Sequence, residues 1–263
     1  ATDSMGKPLH AGHAAEAGAM AAMVAKYGVI GAEGMFEGPR GFGHAMSQDV
    51  DWDSAVAGFD KDYTITRMTQ KNHTCCGHTF AAIDSMIALA TKYQLSVDNV
   101  ASIHIGTYSK GIEICGNRDP QTVYEAKFSL PYAVAVGLVM GRARFAAFSD
   151  EKLNDPDIRS VMSRIEFETD PDAEAKFPNF RSATVTVETT DGSRYEHHSP
   201  TRKGDPDNPL SDAELEDKYR ELVESVIGPH AASKLLEECW QLEKVNNVAH
   251  LSYVRAEPIA QST

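Results

Sequence analysis

Apolar residues recur at helical spacing in some stretches of the chain and at alternate positions in others. Residues 10–27 (HAGHAAEAGAMAAMVAKY) are rich in Ala and Met and poor in β-branched side chains, which favours helix, and Gly28 is placed to end it. A glycine-rich stretch follows, with spacing too irregular for a repeat, and residues 52–59 read as a short helix. Residues 63–69 (YTITRMT) alternate with period two and predict a strand. Residues 79–93 predict an amphipathic helix with Phe80, Ile83, Met86, Ile87 and Ala90 on one face. Residues 100–108 predict a second strand, and residues 128–142, apolar on nearly every face, a deeply buried helix. Further strands are predicted at 165–168 and 183–189, the latter leading through the Asp191-Gly192 turn signal into 195–197. Proline and charge then mark a boundary at SPTRKGDPDNPLSDAE. Ser211 and Glu214 make a capping box for a helix over 212–227; another helix is predicted over 231–242, with a frayed tail after Pro258.

The order is helix, then mixed strands and helices, then helix. It predicts an α+β fold: a mainly helical domain built from both chain ends (1–60 and 200–263) and a smaller α+β domain (61–199) inserted between them. At 263 residues the chain is long enough to bury a substantial core, and 42% hydrophobic with 24% charged residues is ordinary globular composition. The net charge of −13 disfavours nucleic acid or an anionic membrane surface as partner. An anionic small molecule would need a local cluster of Lys, Arg or His against that field. No run approaches the ~18 apolar residues of a membrane span, and the opening residues do not read as a signal peptide. The chain starts on Ala1 and runs at once into KPLHAGHAAEAG, which reads as a chain cut from something longer. Of the four cysteines, Cys75 and Cys76 are adjacent and cannot easily bridge, so a disulfide framework is not expected. A reducing compartment is: the cytoplasm, or the mitochondrial matrix in a eukaryote.

The densest chemistry lies in residues 71–84, KNHTCCGHTFAAID, directly ahead of a predicted core helix. His73, Cys75, Cys76 and His78 are zinc-type ligands, but H-x-C-C-x-H is a poor spacing and no second C-x-x-C or H-x-x-x-H accompanies it. An iron–sulfur site lacks its usual spacing as well, so no metal is expected and the thiols read as small hydrophobes. His78 is then a proton carrier at the helix entrance, against the alternative of a histidine that only caps or packs there. In KPLHAGH, Pro8 suits a first helical turn and puts Lys7 at the helix N-terminus, where a cation opposes the dipole unless it serves an anionic ligand. The competing reading is a solvated surface charge. His10 and His13, three apart, share a face. Residues 37–42 (EGPRGF) predict a loop with positive-φ glycines, in which Arg40 meets a carboxylate or only solvent.

Five segments resemble, in order, successive signatures of the MmgE/PrpD family: SMGKPLHAGHAAEAG, GAEGMFEGPRGF, CCGHTFAAIDSMIALA, AKFSLPYAVAVGLVMGR and GDPDNPLSDAELEDKYREL. They span Met5 to about Leu222. The family includes 2-methylcitrate dehydratase, cis-aconitate decarboxylase and iminodisuccinate epimerase. The resemblance implies a large helical domain from both chain ends, an inserted α+β domain, and an active site in the cleft between them. It further implies a small polycarboxylate substrate, no metal or organic cofactor, and a homodimer. Carried onto this chain, the KPLHAG motif makes Lys7 catalytic and the CCGH motif does the same for His78. Many relatives read C-G-H-T-H where this chain has Cys76-Gly77-His78-Thr79-Phe80. His78 is favoured over the Phe80 position as the working one because Phe80 fits the apolar helix face. Members of the family are also considerably longer at the N-terminus, where further acid–base and carboxylate-binding residues lie.

The expected chemistry is dehydration of the 2-methylcitrate type. A base removes the proton next to a carboxylate while an acid protonates the departing hydroxyl. His78 would transfer the proton, and Lys7 would pair with a carboxylate and stabilise the developing enolate-like charge. His10, Arg40, Arg118 and Lys127 are candidates for binding the substrate carboxylates. Tyr108 and Tyr132 could donate a proton, against a purely structural role. Decarboxylation of cis-aconitate and epimerisation of iminodisuccinate need much the same equipment. From other classes come a non-catalytic remnant, a subunit completed by a partner chain, and a zinc-binding module built on residues 73–78.

Overall fold

The structure, a computed structural model, describes residues 5–251. By its contacts the chain divides into two units, residues 1–68 and 69–263.

Among its described residues the first unit holds three α-helices, α1 (Gly6–Lys26), α2 (Phe42–Met46) and α3 (Trp52–Val56). As the Ala-rich pattern predicts, α1 is long and regular, and Gly28 follows it at φ +91°. None of its residues is buried; Met20 and Met23 are 59% and 63% exposed. Residues 63–69 depart from expectation: Thr64–Arg67 forms a 3-10 turn. A strand needs a ladder partner and a covered face, and Tyr63 and Ile65 are 65% and 75% exposed. In the 34–41 turn the positive φ belongs to Gly34, whereas Gly38 and Gly41 are absent from that region. They are glycines for a different reason. A Cβ on Gly38 would stand 2.5 Å from the Gly34 carbonyl oxygen, and one on Gly41 would stand 2.8 Å from those of Met35 and Phe36.

The second unit is built around α4 (Phe80–Tyr93), whose buried side includes Phe80, Ile83, Met86 and Leu89. Burying each of these contributes about 1.5–3 kcal/mol. Strand β1 (Val100–Thr107) follows, then α5 (Ser109–Cys115), α6 (Val123–Ala126) and α7 (Leu130–Met140). Helix α7 is buried from Leu130 through Leu138, which is why its sequence shows no polar stripe. Ser129 caps its first turn by accepting from the Tyr132 amide, and Gly141 ends it in the left-handed region. Gly137 faces Ile83 of α4, where an added Cβ would be in ordinary van der Waals contact at 3.4 Å.

Short helices α8 (Asp150–Leu153) and α9 (Pro156–Met162) lead to β2 (Ile165–Thr169), and α10 (Pro171–Lys176) leads to the hairpin β3 (Ala183–Thr189) and β4 (Arg194–Ser199). The sheet order is β2-β1-β3-β4, with β1 and β2 parallel and the other pairs antiparallel. This α+β architecture agrees with the fold class read from the sequence. Val185 and Val187 of β3 point into the core, and α4 lies across β3 and β4. The chain then turns into α11 (Asp212–Ile227), which starts with the expected Ser211–Glu214 capping box, and α12 (Pro229–Cys239) packs against it. Residues beyond Pro258 lie outside the described residues.

Candidate functional site

The CCGH segment is pinned between α4 and the turn before α7. The Cys76 amide donates to the Lys127 carbonyl at 2.8 Å, and the Thr79 hydroxyl donates to the Cys76 carbonyl at 2.8 Å. The neighbouring side chains then go to different partners. His73 is buried, shares a 2.9 Å hydrogen bond with Asp84 through Nε2, and meets the Phe80 ring edge-on at 5.1 Å. Asp84 also accepts the Lys203 amide at 2.8 Å, so it ties α4 to the segment before α11. The Cys75 thiol lies 3.3 Å from the Thr79 hydroxyl, and burial pushes its pKa up to about 12, which keeps it a thiol. The two histidines and two cysteines therefore do not converge, and among the described residues no three His, Cys, Asp or Glu side chains form a metal-type group.

His78 turns the other way. Its Nδ1 is 2.7 Å from the Tyr108 hydroxyl, a contact across 30 residues that joins the entrance of α4 to the end of β1. Tyr108 is 1% exposed and stacks on Phe177 with ring centroids 4.5 Å apart. Burial raises the Tyr108 pKa well above the usual phenol value; the nearby Arg181 and Arg202 cations oppose that rise without cancelling it. The phenol is therefore neutral and can donate to or accept from the imidazole. Either arrangement selects one tautomer.

Arg202 approaches the same loop from the segment after β4. Its Nε and Nη2 donate to Asp205 at 3.0 and 2.6 Å, and Nη2 donates to Thr69 at 3.0 Å. Burial opposes ionisation of Asp205, but the hydrogen bonds from Arg202 and Thr69 prevail and hold its pKa below the ordinary value. A Cβ on Gly77 would lie 3.0 Å from Arg202 Nη1. The glycine of CCGH thus makes room for a guanidinium. The spacing of the segment gives no hint of that neighbour, because the arginine is placed by a distant loop.

The other residues singled out in the sequence are dispersed. Lys7 and His10 lie exposed in the first turns of α1, and Arg40 is exposed in the turn before α2. All three belong to the first unit, whereas His78, Arg118 and Lys127 belong to the second. Lys127 is adjacent to the CCGH loop through its carbonyl, and its ammonium lies 5.3 Å from the Tyr124 ring centroid. Arg118 donates to the Ile165 carbonyl and to Glu166, and lies over the Phe167 ring at 4.1 Å, so β2 holds it. Tyr132 donates to the Ala147 carbonyl at 2.7 Å and is buried, a core contact. Arg202, Arg181 and Phe177 were not singled out by sequence reasoning. The only signal for Arg202 was a cation among turn residues in TRKGDPDNP.

Residues 73–242 match the model of the MmgE/PrpD C-terminal domain. The chain belongs to the MmgE/PrpD family. The matched region starts at His73 and takes in the CCGH loop, the sheet and both C-terminal helices. This family member is 24% identical to human cis-aconitate decarboxylase over 252 residues, 94% of this chain and 52% of that protein. It is 21% identical to the mouse cis-aconitate decarboxylase over 262 residues, covering 97% and 53%. A third relative is the cis-aconitate decarboxylase-like protein oryM of Aspergillus oryzae, 23% identical over 265 residues, covering 95% and 54%. The chain spans about half the length of the curated relatives it matches. Among its described residues no helix is long and apolar enough to cross a membrane.

Proposed function

We propose that this chain is part of a lyase acting on a small polycarboxylate, and that His78 moves the proton. The observation that carries the reading is the 2.7 Å contact between His78 Nδ1 and the buried, neutral Tyr108 hydroxyl, in a chain of this family. It holds the half-buried imidazole in one orientation at the entrance of α4.

The names of the relatives make cis-aconitate the first substrate to test. In its decarboxylation the bond from carbon to the leaving carboxylate breaks, carbon dioxide departs, and the electron pair is delocalised toward a remaining carboxylate. Protonation at carbon completes the reaction, and a protonated His78 would supply that proton. Dehydration of 2-methylcitrate is the second reading, because the same imidazole could instead remove the proton next to a carboxylate while an acid assists departure of hydroxide. Lys7, His10, Arg40 and Lys127 remain proposed carboxylate partners, and Lys7 would stabilise the developing negative charge. Arg118 is the weakest member of that set, since its donors already serve β2. The proposed division into a two-ended helical domain and an insert places no further demand on this chemistry. Self-association or a partner chain is proposed on the exposed apolar residues of α1, and sedimentation at several concentrations measures it.

The test is turnover by the full-length protein on cis-aconitate, 2-methylcitrate, citrate and iminodisuccinate, with and without His78→Gln. Carbon dioxide release identifies decarboxylation, and loss of water identifies dehydration. The substitution should lower kcat roughly 100- to 10,000-fold. Unchanged turnover in the variant removes His78 from the mechanism.

A further inference from the structure

The acidic background of this protein requires any polycarboxylate site to carry its own local positive charge, and the loop at His78 contains no cation of its own between Gly77 and Tyr93 except Lys92 at the far end of α4. The positive groups come from elsewhere in the fold. Arg202 is 12% exposed and oriented through one edge only: Nε and Nη2 are taken by Asp205, and Nη2 also by Thr69. Among the described residues Nη1 has no hydrogen-bond acceptor, and it is the atom that stands 3.0 Å from the position a Gly77 Cβ would take. A guanidinium presents its donors in a rigid fork, so fixing one edge aims the other. The aimed edge lies beside the residue that precedes His78.

A second arginine supplies net charge, which the Arg202–Asp205 pair lacks. Arg181 is half-buried and has no carboxylate partner among the described residues. It stands one residue before Ser182, whose carbonyl accepts the Thr107 hydroxyl at 2.9 Å, and Thr107 precedes Tyr108. Tyr108 is within the electrostatic reach of both arginines. The pairing of β1 with β3 therefore brings Arg181 to the same end of the sheet as the His78–Tyr108 contact.

We propose that Arg202, held by Asp205 and Thr69 with Nη1 over Gly77, is a substrate-binding residue that grips a carboxylate of the ligand beside His78, with Arg181 adding to the field. This rests on the polycarboxylate reading of the site. Gly77 is then a specificity element: any side chain there would cover the free edge of the guanidinium. Asp205 is a positioning residue that acts through Arg202.

The experiment is titration calorimetry of the full-length protein with tricarballylate, an unreactive tricarboxylate, alongside KM and kcat for cis-aconitate and 2-methylcitrate. Arg202→Gln should weaken tricarballylate binding roughly 10- to 100-fold, the range for one hydrogen bond to a charged group. Arg202→Lys should not restore it, because a point charge lacks the fork. Gly77→Ala keeps the Asp205 pair and should weaken binding several-fold with unchanged thermal unfolding, so the idea stays testable if Arg202→Gln fails to fold. Wild-type affinity and KM in Gly77→Ala and in a folded Arg202 variant overturn the assignment while the polycarboxylate reading stands. A wild-type protein that neither binds tricarballylate nor turns over any polycarboxylate overturns both.

Discussion

Replacing Tyr108 by Phe isolates the contribution of a single oxygen atom to the orientation of His78. The ring is 1% exposed and stacked on Phe177 at 4.5 Å, and a phenyl ring keeps both features. The change therefore removes the 2.7 Å hydrogen bond to Nδ1 and little else. A typical hydrogen bond contributes about 0.5–1.5 kcal/mol net. Over an RT of about 0.59 kcal/mol, that corresponds to roughly a 2- to 13-fold fall in the fraction of imidazole held in the working orientation. The expected result in the full-length enzyme is a fall in kcat of that size, a nearly unchanged KM, and a loss of stability of about 1 kcal/mol. Steady-state kinetics and urea denaturation measure these, and 15N spectra of the imidazole report whether the tautomer becomes mixed. If Tyr108→Phe lowers kcat as far as His78→Gln does, Tyr108 is a proton donor to substrate and the orienting argument fails. If kcat and tautomer are both unchanged, the contact does not orient His78 at all.

Other consequences can be measured on the same protein. Phe80 is fully buried against His73, so Phe80→Ala should cost about 3–5 kcal/mol in chemical denaturation. Cys75, with its thiol pushed up to about 12 by burial, should resist alkylation in the native protein at pH 8, whereas exposed Cys239 should react; mass mapping of the labelled peptides decides it. Asp205 has its folded-state pKa depressed by Arg202 and Thr69 against the opposing effect of burial. Its contribution to stability is thus present above the unfolded carboxylate pKa of about 3.9 and is lost as pH falls through the lower folded value. Asp205→Asn should flatten that acid limb of the stability curve, and an unchanged limb would show that the pair carries no pH-dependent stability.

Local rules sufficed wherever an element's neighbours in sequence are also its neighbours in space. The amphipathic face of α4, the all-round apolar character of α7 and the Ser211–Glu214 capping box were legible because period, composition and caps act within a few residues. The same rules failed at 63–69, where alternation alone cannot provide the partner strand that a ladder requires, and at Gly38 and Gly41, where close carbonyl approach replaced positive φ. His78 could be picked out as a titratable group at a helix entrance, but its environment could not. That environment is made by Tyr108 from the end of β1, Phe177 from the segment after α10, and Arg202 from the loop after β4. Sequence by itself determined the α+β class, most helices and strands, and the loop on which the chemistry is proposed. Only the tertiary structure decided that His78 Nδ1 meets Tyr108, which cysteines are buried, and which arginine faces Gly77. Electrostatics and desolvation depend on distance through space, and the sheet pairing that sets those distances joins residues far apart in the chain.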